Sequence, residues 1–490
     1  MKRNKFNLSH FRLLTCNMGN LVPIMVKEAL PGDSWRMMSA LLARIQRLNH
    51  PLMHPVRIRV HTFFVPYTEI WDDFEDFITK GEDGTSTPTH PVIDMQGTVA
   101  QSTLADYLGI PPATYGSTFN VNALPFRAYA LIWNEFFRDQ QIVTKAVIDT
   151  TSGADTTTNT ALKPVMWSKD RLTTARSSTQ LGSTVTIPLG DTARIYGANM
   201  DFDSNEDSGN IVQVRDAAGG SANLRLLEPG TNKVHGGSAS DGTGELLVDL
   251  AQATGVDIDD LRLAMATQKF RERMNSFGSR YVEYLRYIGV RGMGRVNKAD
   301  LLNVGSKLVA FSEVLSTDGA NTGTMYGHGL GAMRTRRFIK YFREHGLVMS
   351  FISTVPLPMY MQGLERMWKR SVQEDYFQHE FQHIGDQDVL NSEVYTEHTS
   401  PDGTFGYAPR YDSYRYAKSS IHGEFRSTRN TWHMARDFGS DPALNSSFIQ
   451  CSPTTRVYAS TTTDQMLIEV HHRIQARRMM AKYAVPRLIG

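Results

Sequence analysis

Two strand-like segments stand near opposite ends of a chain of 490 residues. In residues 56–65, Val56, Ile58, Val60, Thr62 and Phe64 fall on one side, and Pro66 closes the run. Near the other end, Ile468, Val470, His472 and Ile474 alternate with Leu467, Glu469, His471 and Arg473. A period of two is the mark of a strand with one buried face. The segments between do not alternate strand and helix as a parallel sheet would require. A chain with strands at both ends and long irregular stretches between them suits a sandwich or barrel with enlarged loops.

Helices are few. In residues 125–140, Phe126, Tyr129, Ala130, Trp133, Phe136 and Phe137 share one helical face, and Pro125 sits where a first-turn proline is tolerated. Residues 257–275 carry a shorter stripe of Ile258, Leu261 and Met265, with Asp257 as N-cap and Gly278 as the stop. Both helices are expected to pack against a sheet or a neighbouring element. Residues 197–247 are different in kind. They hold nine glycines, eight acids and three bases, a composition suited to a solvated excursion.

Composition narrows the function. Apolar residues make up 41% and charged residues 21%, ordinary for a globular core, and the formal net charge is +2. That near-neutrality argues against a dedicated nucleic-acid-binding protein but leaves room for one basic face. Cys16 and Cys451 form no disulfide framework or cysteine zinc site, which points to synthesis in a reducing cytoplasm. The N-terminus lacks the apolar core of a secretory signal, and the longest apolar stretch, residues 347–360, is broken by Ser350, Ser353, Pro356 and Pro358. No membrane insertion is expected.

The sharpest enzymatic signal is His379-Glu380-Phe381-Gln382-His383. On an α-helix this pattern places two imidazoles on one face as zinc ligands, with Glu380 as general base. Gly385 falls where that helix should continue, and no third-ligand motif accompanies it. A zinc-dependent hydrolase is therefore the alternative reading, and the favoured one has no catalytic residue, metal or cofactor. Gly327-His328-Gly329-Leu330-Gly331 lacks the spacing of a phosphate-binding loop. Basic residues gather at the termini: Lys2, Arg3 and Lys5 at one end, and Arg473, Arg477, Arg478, Lys482 and Arg487 at the other, with no acid after Glu469. Arg334, Arg336, Arg337, Lys340 and Arg343 form a further group. Such clusters are solvated or subunit-contact surfaces, or they bind phosphate without reading sequence.

A set of collinear blocks carries the reading further. Residues 121–143 (VNALPFRAYALIWNEFFRDQQIV) resemble a hallmark segment of microvirus major capsid proteins, especially the gokushovirus-like branch. Residues 6–10 (FNLSH), 29–35 (ALPGDSW), 104–111 (LADYLGIP), 187–190 (IPLG), 344–368, 385–395 (GDQDVLNSEVY), 405–416, 432–438 and 444–449 resemble that family in the same order. The resemblance implies a mainly β fold, an eight-stranded viral jelly-roll barrel spanning residues 1–490 whose long loop insertions contain a few helices. It implies a virion protein, made in the host bacterial cytoplasm, that assembles through pentamers into a T=1 icosahedral shell around circular single-stranded DNA. The basic termini would face that genome. Expected partners are a small basic DNA-packaging protein, a scaffolding protein, a pilot protein and a host cell surface receptor. Residues 197–247 occupy the place of a variable surface insertion near the threefold axes.

Overall fold

The computed structural model describes residues 3–183, 185, 258–278, 280–289, 298–320 and 322–482. It also describes the two-residue strands Ile195–Tyr196, Asp201–Phe202, Val214–Arg215 and Leu247–Val248. Lys2, Asp257, Arg487 and nearly all of residues 197–247 lie outside the described residues. Two compact units emerge, one made of residues 1–179 and 277–490 and the other of residues 180–276.

The first unit is mainly β. Its strands are β1 (Asn4–Asn7), β2 (His10–Cys16), β3 (Val22–Ala29), β4 (Ser34–Leu48), β5 (Val56–Pro66), β6 (Asp300–Leu308) and β7 (Ala310–Leu315). They continue as β8 (Met325–Arg334), β9 (Phe338–Tyr341), β10 (Gly346–Pro356), β11 (Asp386–Leu390), β12 (Thr404–Pro409) and β13 (Met466–Arg478). One sheet of seven strands runs β1-β13-β4-β8-β7, with β2 also on β13 and β9 also on β4; a second runs β6-β5-β10-β3. Every pairing in both is antiparallel. Backbone pairing does not close the described strands into a barrel.

The two sheets lie face to face over a shared core. Leu41, Ala43 and Ile45 of β4 and Met466, Ile468 and Val470 of β13 pack with Val22 and Ile24 of β3, Ile58 and Val60 of β5, and Ile352 of β10. The alternation expected at 468–474 is present, with Ile468, Val470, His472 and Ile474 all buried, whereas that expected at 56–65 holds only to Thr62, because Phe63 and Val65 are buried on the opposite face under the α1 layer. In β8, Gly329 and Gly331 point inward. A Cβ on Gly329 would meet Ile45 and Phe311 at 2.6 and 2.7 Å, and one on Gly331 would meet Ile58 at 2.8 Å. The glycine-rich segment 327–331 is thus a strand that leaves room for large neighbours, not a phosphate loop.

β10 is buried at every position. One face, including Val348 and Ile352, meets the seven-stranded sheet. The other, with Leu347, Met349, Phe351 and Val355, is covered by α1 (Leu124–Ile132) and the segments around it. Tyr129 of α1 lies 5.9 Å from Phe351, and Phe136 lies 4.7 Å from Phe63, between ring centroids. Each fully buried large apolar side chain stabilises this layer by about 1.5–3 kcal/mol. The polar tips are satisfied: Tyr129 donates to the Leu21 carbonyl and Trp133 Nε1 to the Pro164 carbonyl. The expected helix over 125–140 is shorter as an α-helix, because a π-helical turn takes over at Trp133–Phe137 and Arg138 is extended. Arg127 lies on the buried face, paired with Asp155 at 2.8 Å.

The helix expected over 257–275 is present as α2 (Ile258–Phe277), but the packing expected of its stripe is not: Leu261 is half-buried and Met265 is 62% exposed. Gly278 follows the helix at φ +100°, a left-handed stop that suits glycine. No helix among the described residues is long and apolar enough to cross a membrane.

Candidate nucleic-acid interface

The outward face of the seven-stranded sheet is where the terminal basic residues converge. Residues opposite one another in an antiparallel pair project to the same side. Lys5 pairs with Arg477, and Arg477 with Ser34, which pairs with Tyr341. In the next outward row Asn7 pairs with Gln475, and Gln475 with Arg36, which pairs with Ile339. Arg473 lies opposite Met38. Phe11 pairs with His471, His471 with Ala40, and Ala40 with Arg334. Lys5, Arg36, Arg334, Arg473 and Arg477 are exposed. Arg3 adds to this edge, its guanidinium 5.0 Å from the Tyr341 ring centre. The far end of the same face is more apolar: Phe11 and Leu13 are each 69% exposed, beside Leu467, Leu330 and Arg44. Glu469 is the acid that breaks the pattern.

The remaining expected residues divide. Lys482 is exposed. Arg478 is engaged within the chain: its Nε lies 2.9 Å from Asp33, its Nη2 donates to the Glu28 carbonyl, and its guanidinium sits over Trp35. It serves the fold more than the surface. Sequence reasoning missed Arg36 and Arg44, which β4 brings beside the C-terminal strand. It noted Arg334 only as part of a separate cluster. Of that cluster, Lys340 is tied to Asp300 at 3.0 Å, while Arg336, Arg337 and Arg343 are exposed. Nothing on this face is arranged for bond-making; it offers positive charge and flat apolar area.

The possible zinc motif has the wrong backbone. Glu380–His383 is a short 3-10 turn, and His379, Glu380 and His383 are exposed. With three residues per turn, positions four apart point about 120° apart, whereas an α-helix would bring them to one side. Gly385 follows at φ +134°. Among the described residues, no group of three His, Cys, Asp or Glu side chains lies close enough to hold a metal ion. Cys16 and Cys451 are buried and unpaired, and burial pushes the Cys16 thiol up to about 12. A thiol so placed is no nucleophile.

Comparison with known proteins agrees with this non-enzymatic surface. The family described as Capsid protein (F protein) matches residues 1–488. The chain is 32% identical over 514 residues to the capsid protein VP1 of Bdellovibrio phage phiMH2K, covering 100% of this chain and 96% of that protein. It is 30% identical over 573 residues to the capsid protein VP1 of Chlamydia phage 1, with 100% and 96% covered. It is 27% identical over 533 residues to the capsid protein VP1 of Spiroplasma virus 4, with 99% and 95% covered.

Proposed function

The chain belongs to the phage capsid protein (F protein) family, and from that premise we propose a T=1 icosahedral shell, built through pentamers, that encloses circular single-stranded DNA. The protein itself is a structural major capsid protein and not an enzyme. The zinc hydrolase reading has no support.

The fold we propose for the shell wall is a jelly roll. Its support is the strand order: β2, β4, β8 and β13 lie in one sheet as β2-β13-β4-β8, and β3, β5, β6 and β10 lie in the other as β3-β10-β5-β6. This is the interleaving that two nested Greek keys produce. Residues 1–179 and 277–490 then form the wall, and residues 197–247 form a surface protrusion near the threefold axes. Self-association fits the exposed apolar side chains Trp368, Tyr376, Phe377 and Ile384, which stand among arginines, as interface cores do. Obligate contacts of this kind should bury more than ~2,000 Å².

The observation that carries the genome reading is the convergence of Lys5, Arg36, Arg334, Arg473 and Arg477 on one sheet face. That face is the proposed inner surface. Its contacts would be non-specific, because a shell meets a different base sequence at every subunit and phosphate contacts position without reading bases. A small basic packaging protein would share the neutralisation, while scaffolding and pilot proteins and a host receptor would act elsewhere on the particle. Particles carrying Lys5, Arg473 and Arg477 changed to glutamine should assemble but hold less DNA. Single-stranded DNA binding by the purified subunit should lose about two units of slope in log affinity against log salt, from about 0.7 per lost contact. Full genome content with an unchanged salt slope would assign these residues to subunit contacts instead.

A further inference from the structure

Outside the sheet face, one half-open concavity is built with an unusual charge pattern. It measures about 330 Å³ and lies within the first unit, between the segment 360–370 and the loop 413–418. Four cations line it, Arg171, Arg366, Arg370 and Lys418, against two carboxylates, Glu365 and Glu393. Glu393 is 3% exposed and serves both Arg171 and Arg366, the latter at 3.4 Å. Arg171 also reaches Asp412 at 3.7 Å, and Arg366 reaches Asp375 and Asp388 at 3.7 and 3.5 Å. These two arginines are neutralised inside the chain.

Arg370 and Lys418 are not. Neither has a carboxylate within ion-pair distance among the described residues. Arg370 donates to the Ser413 hydroxyl at 3.1 Å and lies 3.9 Å from the centre of the Tyr414 ring. Lys418 donates to the Gly363 carbonyl at 2.9 Å. Burial holds its ammonium below the ordinary value, although Glu365 and Glu393 pull the other way. A half-buried cation that lacks a counterion costs stability unless something anionic arrives. Two such cations on one cavity suit a phosphate group, which carries roughly −2 as a monoester and about −1 as a diester. The rest of the lining is flat or apolar: Tyr414 and Tyr416, with Leu364 and Met367. Phenol rings and guanidinium planes are the surfaces on which nucleobases stack. The volume stands at the lower end of small-molecule sites, about 300–1,000 Å³.

We infer that this cavity binds one nucleoside monophosphate unit, its phosphate between Arg370 and Lys418 and its base against Tyr414. The unit is either a free nucleotide or a single nucleotide of a longer strand. The inference stands apart from the basic sheet face and would survive the failure of that reading.

The test is calorimetric titration of the purified full-length protein with deoxyadenosine monophosphate, inorganic phosphate and deoxyadenosine, followed by competition with an oligothymidylate strand. The nucleotide should saturate at one per chain and bind more tightly than either fragment. Lys418→Gln and Arg370→Gln should each weaken it about tenfold, the loss of one hydrogen bond to a charged group. Tyr414→Leu, at an exposed ring whose loss leaves the core intact, should weaken the nucleotide but not phosphate. Displacement by the oligonucleotide identifies a strand as the source, and its absence identifies a free nucleotide; both support the site. No saturable nucleotide binding, binding unchanged in the Lys418 and Arg370 variants, or phosphate alone binding as tightly would overturn it. So would binding of a glutamate-rich peptide in place of the nucleotide, which would make the cavity a socket for a neighbouring chain's acids.

Discussion

Arg127→Met tests whether the layer that covers the four-stranded sheet is held by a buried ion pair. The guanidinium has no solvent exposure. It donates to Asp155 Oδ2 at 2.8 Å, to the Ile70 carbonyl at 3.1 Å and to the Thr151 carbonyl at 3.0 Å, tying α1 to two separate loops. Methionine keeps much of the length and packing but removes the charge and all three donors. Asp155 would still accept from the Thr158 amide and hydroxyl, at 2.9 and 2.7 Å, but its charge would be buried without a counterion. Removing one partner of a buried pair costs about 3–5 kcal/mol, and we expect about 4 here. For 490 residues at roughly 2.1 cal/mol/K each, the unfolding entropy is about 1 kcal/mol/K, so the melting temperature should fall by about 4 °C. Adding Asp155→Asn removes the stranded charge and should recover more than half of the loss, since an amide oxygen can still accept from Thr158. The assay is thermal unfolding of the purified subunit at one concentration and one scan rate. A single variant that melts with the wild type, or a double variant no better than the single, would refute the assignment.

Three further outcomes follow from other residues. His472 and His54 are buried, and burial lowers them to about 3 and about 4; His10, His471 and Arg12 reinforce this at His472, and His433 and Arg456 at His54. Above the unfolded value of about 6.5 both are neutral in either state; below it only the unfolded chain takes up protons, so stability is lost as pH falls from about 6.5 towards 4. Two such histidines amount to about 4 kcal/mol between pH 7 and pH 5, measurable as a drop in the urea midpoint that His54→Gln with His472→Gln should reduce, burial-lowered His61 and His433 accounting for what remains; a pH-independent midpoint in the wild type would count against it. Changing His379 and His383 to alanine should leave assembly and zinc content as in the wild type, and one zinc per chain lost on mutation would reverse the conclusion. Limited proteolysis of intact particles should nick first within residues 197–247, whose polar, glycine-rich sequence is the proposed surface insertion and a favoured target; protection there while other loops are cut would place the segment elsewhere.

Strand β13 was legible because it buries one face and leaves a period of two, and β5 was legible in the same way only over 56–62, before Phe63 and Val65 bury its second face as well. β10 was not, because it buries both faces and reads as an apolar run interrupted by serines, two of which, Ser350 and Ser353, lie in the core. β4 was hidden for a related reason: Met37, Met38 and Ser39 are consecutive buried residues. Arg127 is absent from the apolar stripe that the sequence shows, and only the fold supplies its partner 28 positions away. The basic face was half legible. Charge at the termini is visible in the chain, whereas the contribution of Arg36 and Arg334 depends on the register of β4 with its neighbours. The zinc pattern shows the opposite failure, a spacing that means chemistry only on an α-helix and here sits on a 3-10 turn.

The two sheets are not equivalent, and that inequality limits where an assembled shell can use them. The four-stranded sheet has β10 buried along its whole length, with the opposing sheet on one side and α1 on the other. β10 has no free face to offer, and β5 is left partly open at Arg57, Arg59 and His61. The seven-stranded sheet is covered on one side only, since the outward residues of β13 are exposed at Leu467, Glu469, Arg473, Gln475 and Arg477. A partner that meets the wall broadside finds an uncovered face on the seven-stranded sheet, although β6 also exposes Leu301, Val304 and Leu308. That is also the face on which register gathers cations from both ends of the chain and from β4 and β8. A subunit partner would require matching carboxylates and leave Phe11 and Leu13 to pack in a dry core, with a contact largely insensitive to salt once formed. A strand of DNA would neutralise the same cations while its unpaired bases covered the same apolar end, and its affinity would fall steeply with salt. Salt dependence thus separates the two occupants.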